Sequence, residues 1–250
     1  MNNNIPIKTQ EEIELMREGG AILKKVLDEI GKSVRSGIST YELDKIAEEI
    51  IRDHGASPAF KGYKGFPATL CVSINEEVVH GIPKRDRVLQ EGDIIGIDCG
   101  VLYQGLYTDA CLTFMIGQAA PEVQNFVKTT KKALDKSIKQ VRPGNHIGDI
   151  SAVIQKTLER EGYSPVVECT GHGVGRNLHE PPEILNIGHK NTGPKIKTGM
   201  VFAIEPISAM GAGQVMTAED NWTVITADRS LSAHFEHTVV VTKKGCEIIV

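Results

Sequence analysis

The stretch VRSGISTYELDKIAEEIIRDHG, residues 34–55, recurs later in the chain as VRPGNHIGDISAVIQKTLEREG, residues 141–162. The second copy starts 107 positions after the first (141 − 34). Both copies open on Val-Arg-x-Gly, carry apolar residues at helical spacing and close on a glycine. In the first copy, Ser39 and Glu42 have the spacing of a capping box, which marks the start of a helix. We therefore predict two equivalent helices, each ended by a glycine in the left-handed conformation.

The repeat continues into the segments that follow these helices. At the same offset, the apolar run EGDIIGID aligns with TGMVFAIE, so that Asp98 corresponds to Glu205. Both runs predict a strand that ends in a carboxylate. A second pair of runs, LYTDACLTF and AHFEHTVVV, places Asp109 against Glu236. The second pair lies farther along in the second copy, which indicates an insertion of about 20 residues near 208–229.

This repeat predicts an α+β fold, built from a duplicated helix–helix–strand unit with pseudo-two-fold symmetry. A longer helical stretch precedes each repeated helix, at about 11–32 and 121–140. We expect the helices to cover one face of a curved, mostly antiparallel sheet. The two copies span roughly residues 11–114 and 121–241, within one domain of residues 1–250. Acids on strands of both copies would then meet near the symmetry axis.

The composition is that of a globular protein, with 40% hydrophobic and 24% charged residues. A net charge of −4 gives no electrostatic reason to expect nucleic acid or an anionic membrane as a partner. Residues 1–10 lack the apolar core of a signal peptide, and no apolar run approaches the roughly 20 residues that span a bilayer. The five cysteines are scattered, which favours reduced thiols and a cytoplasmic location.

Four acids lie inside the apolar, strand-like runs: Asp98, Asp109, Glu205 and Glu236. Because strand side chains alternate between two faces, any one of them could equally point into solvent. If all four point inward, they repel one another by several kcal/mol unless cations are present. Two divalent ions would balance the four carboxylates, and one neutral imidazole would complete the site. Such a mostly oxygen site suits Mn²⁺, Fe²⁺ or Co²⁺ and tolerates Zn²⁺.

Three of the eight histidines lie in glycine- and proline-rich connections beside these runs. VVHGIP contains His80, and GHGVGRNLHEPP contains His172 and His179. Glycines let the backbone approach a ligand closely, so we expect these histidines at a pocket wall. We interpret the other five, which lack this framing, as structural: His54, His146, His189, His234 and His237. The glycines of Gly-His-Gly-Val-Gly have neither the lysine of a phosphate loop nor the spacing of a dinucleotide site.

Five segments together resemble the type I methionine aminopeptidases, which have the pita-bread fold. These segments are SINEEVVHGIP, GDIIGIDCGVLYQGLYTDACLTF, TGHGVGRNLHEPP, TGMVFAIEPI and DRSLSAHFEHTVVVT. The resemblance runs nearly from Lys8 to the C-terminus and includes every metal ligand of the family in order. It implies a single catalytic domain that removes the initiator methionine from nascent proteins when the next residue is small.

The resemblance also implies a role for each metal-binding residue. Asp98 would chelate the first ion, and Asp109 and Glu236 would bridge both ions. His172 and Glu205 would complete the second. A metal-activated water would attack the scissile carbonyl, with Glu205 as the favoured proton acceptor.

Two histidines and an apolar pocket complete the site that the resemblance implies. His179 would contact the scissile amide and stabilise the tetrahedral centre, and His80 would assist at the amide nitrogen. The implied methionine pocket is lined by Phe60, Tyr63, Phe66, Cys71, His80, Leu178 and Trp222. An accessory site for a monovalent cation, Na⁺ or K⁺, is implied at Asn75, Glu77 and Ser232.

Two positions depart from the family's common pattern, which often has cysteine at position 60 and phenylalanine at position 178. Here they are Phe60 and Leu178, so the resemblance leaves the side-chain preference open. The family further implies a monomer that acts on the N-termini of nascent polypeptides at the ribosome.

Two alternative functions share the same fold. A prolidase-like peptidase has the same metal ligands but generally carries a separate domain ahead of the catalytic one, whereas the first helix here begins near residue 11. A catalytically inactive adaptor would have lost metal ligands, and none is missing from this sequence.

Overall fold

The computed structural model describes residues 5–250, and four α-helices pack against antiparallel strands over that range. The helices are α1 (Gln10–Ser33), α2 (Thr40–Asp53), α3 (Pro121–Ile138) and α4 (Ile147–Glu159), with a 3₁₀ turn at Tyr63–Gly65. The strands of the first half are β1 (Ser57–Pro58), β2 (Leu70–Ile74), β3 (Glu77–Val79), β4 (Ile94–Tyr103) and β5 (Leu106–Met115). Those of the second half are β6 (Ser164–Pro165), β7 (Thr170–Gly173), β8 (Glu180–Leu185), β9 (Val201–Ile204), β10 (Ile207–Ala209), β11 (Val215–Thr217), β12 (Val224–Thr226), β13 (Ser232–His234), β14 (His237–Val241) and β15 (Cys246–Ile248).

The starts of α1 and α2 follow from side chains that satisfy the first free backbone N–H groups. The Ser39 hydroxyl accepts a hydrogen bond from the Glu42 N–H, and the Glu42 carboxylate accepts one from the Ser39 N–H, so the capping box of α2 is confirmed. Gly55 and Gly162 follow α2 and α4 with φ of 70° and 81°, which confirms both predicted left-handed glycines. The starts of α2 and α4 lie 107 positions apart (147 − 40), the offset of the sequence repeat.

Each half of the chain has its own sheet and its own pair of covering helices. In the first half, β4 pairs with β1, β2 and β5. Leu23 of α1 and Leu43 of α2 lie with Ile97 of β4 in one core cluster. In the second half, the strand order is β15-β14-β9-β7-β8, and α3 packs Phe126 against Phe202. All of these strand pairs are antiparallel. The predicted α+β class is therefore confirmed.

The two halves meet along a short seam between β5 and the segment that leads into β14. The Glu236 N–H donates to the Cys111 carbonyl over 2.9 Å, and the Cys111 N–H donates back over 3.3 Å. Beside it, the Thr238 hydroxyl accepts from the Asp109 N–H and donates to the Asp109 carbonyl. These hydrogen bonds bring Asp109 and Glu236, which are 127 residues apart (236 − 109), onto one side of the seam.

The structure corrects one predicted strand end. β9 ends at Ile204, directly before Glu205, as predicted, but β4 continues past Asp98 to Tyr103. The continuation occurs because Gln104 and Gly105, with φ of 49° and 81°, form a tight turn that joins β4 to β5. Asp98 therefore lies in mid-strand, where the sheet fixes its direction.

The insertion predicted near 208–229 forms most of a small sheet. β11 pairs with β12, and β12 pairs with β3 of the first half. The connection between β11 and β12 carries Trp222 to the edge of the first half. Within residues 5–250, none of the helices is both long and apolar enough to cross a bilayer.

A buried ion pair ties the segment before α1 to the second half. The Lys8 ammonium donates to the Glu180 carboxylate, and each side chain is 1% exposed. The Lys8 N–H donates to the Gly199 carbonyl, and the Asn177 N–H donates to the second oxygen of Glu180. Glu180 directly follows His179, so this pair fixes the backbone next to a predicted catalytic residue.

Lys8→Met is expected to lower the free energy of unfolding by about 3–5 kcal/mol, because it leaves the Glu180 carboxylate buried without its cation. Urea unfolding followed by circular dichroism measures the change. The control is Lys24→Met, which breaks an exposed pair with Asp28, and we expect it to cost less than about 1 kcal/mol. Equal costs for the two variants would contradict this account of the buried pair.

Candidate metal centre

Asp98 and Asp109 lie on the same face of the β4–β5 ladder. Asp109 is opposite Gly100 in the ladder, and Gly100 is two residues from Asp98 along β4. Because side chains two apart on a strand share a face, both carboxylates point to one side of the sheet. Asp109 is 3% exposed and Glu236, held across the seam, is 2% exposed.

His172 and Glu205 reach the same place from the second sheet. His172 belongs to β7, not to a connection as the sequence suggested, because it pairs with Glu183 of β8 and Ala203 of β9. Its Nδ1 lies 2.9 Å from the Gly173 carbonyl, which can only accept, so Nδ1 carries the proton and Nε2 is left free to bind a ligand. Nε2 lies 3.6 Å from Oε1 of Glu205. One ligand atom each from Asp109, His172 and Glu236 lies within 4.8 Å of the others.

The buried acids lack the partners that would make their burial favourable. Within residues 5–250, no lysine or arginine forms an ion pair with any of the four acids. Three buried carboxylate oxygens have no hydrogen-bond partner in that range: Asp98 Oδ1, Asp109 Oδ1 and Glu236 Oε1. Buried polar atoms without partners are rare in native proteins and point to a bound ion or another ligand.

Burial also changes the charge that these acids can carry. It raises the pKa of Asp98 and of Glu205 to about 7. Burial, followed by repulsion from neighbouring carboxylates, raises the pKa of Asp109 and of Glu236 well above the ordinary values. The four groups can therefore all ionise at neutral pH only if cations lie among them. The donor set, four carboxylates and an imidazole, fits two divalent ions with a preference for oxygen ligands.

His179 lies at the mouth of the cavity, between a tyrosine and His172. Its ring stacks on Tyr63 with centroids 5.4 Å apart, and its Nδ1 is 3.1 Å from the Tyr63 hydroxyl. The ring centroids of His179 and His172 are 4.3 Å apart. Although His179 is exposed on one side, loss of water around the ring, followed by repulsion from His172, lowers its pKa to about 3. The imidazole is therefore neutral at physiological pH and can donate or accept one hydrogen bond.

His80 lines the same cavity from a strained turn after β3. Its φ is 60°, a left-handed conformation that costs a non-glycine residue about 1 kcal/mol or more. The turn is fixed because the Val72 N–H donates to the Gly81 carbonyl, and a side chain at position 81 would collide with the Val72 carbonyl. Burial lowers the pKa of His80, so this imidazole is also neutral.

All seven residues of the predicted methionine pocket line one cavity of about 190 Å³ with the four acids and His172 at its base. Phe66 and Trp222 meet edge to face, with centroids 5.2 Å apart. The two departures from the family pattern are both buried, since Leu178 is 1% exposed and Phe60 is 7% exposed. The Phe60 ring packs over Gly100, where an added Cβ would lie 2.8 Å from the ring. The glycine thus makes room for the larger side chain.

The residues of the predicted cation site are also close together. The Ser232 N–H donates to the Asn75 carbonyl over 2.8 Å. The Glu77 carboxylate, however, accepts from the Ile74 N–H and pairs with Arg87. Both oxygens of the Glu77 carboxylate are therefore already engaged by partners within the protein.

One histidine interpreted as structural lies inside the site. His234 is 4% exposed and lines the cavity, with its Nε2 3.4 Å from Oε2 of Glu205 and 3.9 Å from Oε2 of Glu236. Its position two residues before Glu236 was the available signal, because side chains two apart in an extended segment share a face. By contrast, His54 and His146 occupy helix ends.

The fold and this cluster of buried carboxylates and imidazoles define a metal-dependent hydrolase. The chain belongs to metallopeptidase family M24, whose sequence profile matches residues 14–243. It is 46% identical over 245 residues to the methionine aminopeptidase of Clostridium perfringens (strain 13 / Type A), with 98% of both chains covered. The crystal structure of methionine aminopeptidase from Thermotoga maritima superposes with a TM-score of 0.97 at 43% identity, over 98% of both chains.

The fold is shared more widely than the sequence. The prolidase from Pyrococcus horikoshii OT3 superposes with a TM-score of 0.79, but the identity is 22% and this chain covers 62% of that protein. This likeness concerns the fold alone. The comparisons confirm the predicted pita-bread fold, the family and the aminopeptidase class.

Proposed function

We propose that the chain removes the N-terminal methionine from polypeptides whose second residue is small, with two divalent ions held by five residues. These residues are Asp98, Asp109, His172, Glu205 and Glu236. The observation that carries the proposal is that these charged side chains form the floor of an apolar cavity with aromatic walls. The apolar walls suit the methionine side chain, and the charged floor of the cavity suits the amino group and the scissile carbonyl.

The role of each side chain in hydrolysis follows from its position in the cavity. When bound, the divalent ions polarise the scissile carbonyl and lower the pKa of the attacking water. Glu205 lies at the base of the cavity and accepts the proton of that water. His179, held against Tyr63 at the mouth, donates its N–H to the oxygen on which negative charge develops. His80 approaches from the opposite turn and contacts the nitrogen of the scissile amide.

Substrate selection follows from the walls of the cavity. Tyr63, Phe66 and Trp222 give the methionine side chain aromatic surfaces, to which a thioether binds favourably. Leu178 and Phe60 close the apolar end. The chain acts in the cytoplasm, as a monomer, on nascent polypeptides at the ribosome. A monovalent cation, Na⁺ or K⁺, bound by backbone carbonyls near Asn75 would stabilise the turn before β3.

Removal of metal is expected to abolish activity, because the attacking water depends on the ions and the thiol in the cavity wall stays protonated. Burial raises the pKa of this thiol, Cys71, well above its ordinary value. We expect Mn²⁺, Fe²⁺ or Co²⁺ to restore turnover of a Met-Ala-Ser peptide, and Zn²⁺ to restore it in part. The measurement is the rate before chelation, after exhaustive dialysis against a chelator, and after addition of each ion. Full activity in protein shown by elemental analysis to be free of metal would overturn the mechanism.

A panel of tripeptides that differ in the first residue tests the substrate. We expect methionine to be preferred, norleucine to be tolerated, and charged or bulky first residues to be rejected. Leu178→Phe should change kcat/KM for methionine by less than about tenfold, since apolar pockets discriminate by about 1–3 kcal/mol per methylene. Leu185→Phe, at an exposed position on β8, is the matched control.

Two results would distinguish an error in the proposed substrate from an error in the proposed enzyme class. A preference for leucine, alanine or an Ala-Pro peptide over methionine would contradict the proposed substrate and leave the metal-dependent aminopeptidase in place. Loss of all peptidase activity in fully metal-loaded protein would instead favour the adaptor.

A further inference from the structure

His234 is held rigidly at the base of the cavity by the first half of the chain. The Thr113 hydroxyl donates to the His234 carbonyl over 2.6 Å, and the His234 N–H lies 3.1 Å from the same hydroxyl oxygen. The Cys111 thiol also points to that carbonyl. Residues of β5 therefore fix the backbone from which the imidazole projects, so the ring has little freedom to leave the site.

The imidazole has no hydrogen-bond partner that would explain its burial. Within residues 5–250, Nε2 of His234 is buried and forms no hydrogen bond. Its separations from Glu205 and Glu236, 3.4 and 3.9 Å, exceed the roughly 2.7–3.2 Å of an N–H···O hydrogen bond. A histidine that only fills the core would pair this nitrogen with a carbonyl or a carboxylate.

These separations fit two ligands of one ion. With metal–ligand bonds of about 2.1 Å, neighbouring ligand atoms lie roughly 3.0–3.4 Å apart in octahedral or tetrahedral geometry. Glu205 has one imidazole nitrogen beside each of its oxygens, with His172 Nε2 at 3.6 Å from Oε1 and His234 Nε2 at 3.4 Å from Oε2. The two contacts have the same form, and His172 already belongs to the proposed ligand set.

We propose that His234 is a second nitrogen ligand of the metal centre, beside Glu205. This inference rests on the proposed function, because it assumes that the five residues named above hold metal. A second imidazole makes the site less oxygen-rich. The affinity for Co²⁺, Fe²⁺ or Zn²⁺ should therefore increase relative to the affinity for Mn²⁺, which prefers carboxylate ligands.

Metal titration of the metal-free, full-length protein by calorimetry tests the proposal without an activity assay. We expect His234→Ala to weaken Co²⁺ binding by at least about tenfold, the smallest effect typical of residues that only support a ligand. Mn²⁺ binding should weaken less. His234→Gln keeps an N–H donor of similar reach but is a poor ligand, so it should behave as His234→Ala does. Wild-type affinity in His234→Gln would show that the residue only donates a hydrogen bond, and would overturn the proposal.

Copper spectroscopy keeps the test valid even if these variants fail to fold. With Cu²⁺ at less than one equivalent, we expect electron paramagnetic resonance of the wild-type protein to show coupling to two imidazole nitrogens. His172→Ala should retain coupling to one. A single nitrogen in the wild type, or none in His172→Ala, would overturn the role of His234. If His172→Ala binds Co²⁺ as tightly as the wild type, the proposed metal centre itself is wrong, which separates the two failures.

Discussion

Asp109→Asn is expected to lower kcat/KM by about 10³-fold and to reduce the bound metal below two ions per chain. Asparagine keeps the shape of the side chain but removes one of the negative charges that balance the ions. Removal of one partner from a buried charge pair costs about 3–5 kcal/mol, and about 4 kcal/mol corresponds to about 10³-fold. Glu236→Gln, across the seam, should have an effect of the same size.

In the metal-free protein, the same substitution should preserve or increase the thermal stability. Burial, followed by repulsion from neighbouring carboxylates, raises the pKa of Asp109, so a side chain that is always neutral there removes an unfavourable charge. The midpoint of thermal unfolding of metal-free Asp109→Asn should equal or exceed that of the metal-free wild type. This result would exclude misfolding as the cause of lost activity.

Asp135→Asn is the matched control for these measurements. Asp135 is 52% exposed and pairs with Lys131 on the surface of α3, so its loss should change neither metal content nor kcat/KM. Turnover at the wild-type rate by Asp109→Asn or Glu236→Gln, with two ions bound, would show that these carboxylates are not needed to hold the metals.

The sequence predicted the local structure well because local structure depends on short-range patterns. The capping box at Ser39 and Glu42 and the glycines after α2 and α4 are each determined within a few residues, and all are confirmed. The true end of β4 was also encoded locally, in the turn at Gln104 and Gly105. The prediction ended the strand too early because it took the acid at position 98 as the last residue of the strand.

The contents of the site were harder to predict, because they depend on pairing between distant segments. His234 lacks flanking glycines and prolines, so its context resembles that of an ordinary core residue. Its role depends on Thr113, more than 100 residues earlier, which fixes its backbone, and on Glu205, which lies beside its ring. The ion pair between Lys8 and Glu180 could not be predicted from the spacing of apolar residues either, since no sequence motif surrounds either residue.

His179→Ala is expected to lower kcat by about 10²-fold or more while two metal ions remain bound, because the residue contacts the reacting amide and not the ions. His172→Ala should instead lose metal, although the two rings are in contact. Equal metal loss in both variants would contradict this division between catalyst and ligand.

The Tyr63 hydroxyl offers a finer test of the same residue. It lies 3.1 Å from Nδ1 of His179, so Tyr63→Phe should remove the partner that orients the imidazole while the stacked ring stays in place. We expect an intermediate fall in kcat, with metal content unchanged.

Because burial lowers the pKa of His179 to about 3, the imidazole is neutral at every pH above about 4. Protonation of His179 should therefore cause no loss of activity between pH 6 and 8. The pH profile of His179→Ala should therefore have the same shape as that of the wild type at a lower rate. A wild-type inflection near pH 6.5 that disappears in His179→Ala would show that a charged imidazole takes part, and would exclude a neutral donor.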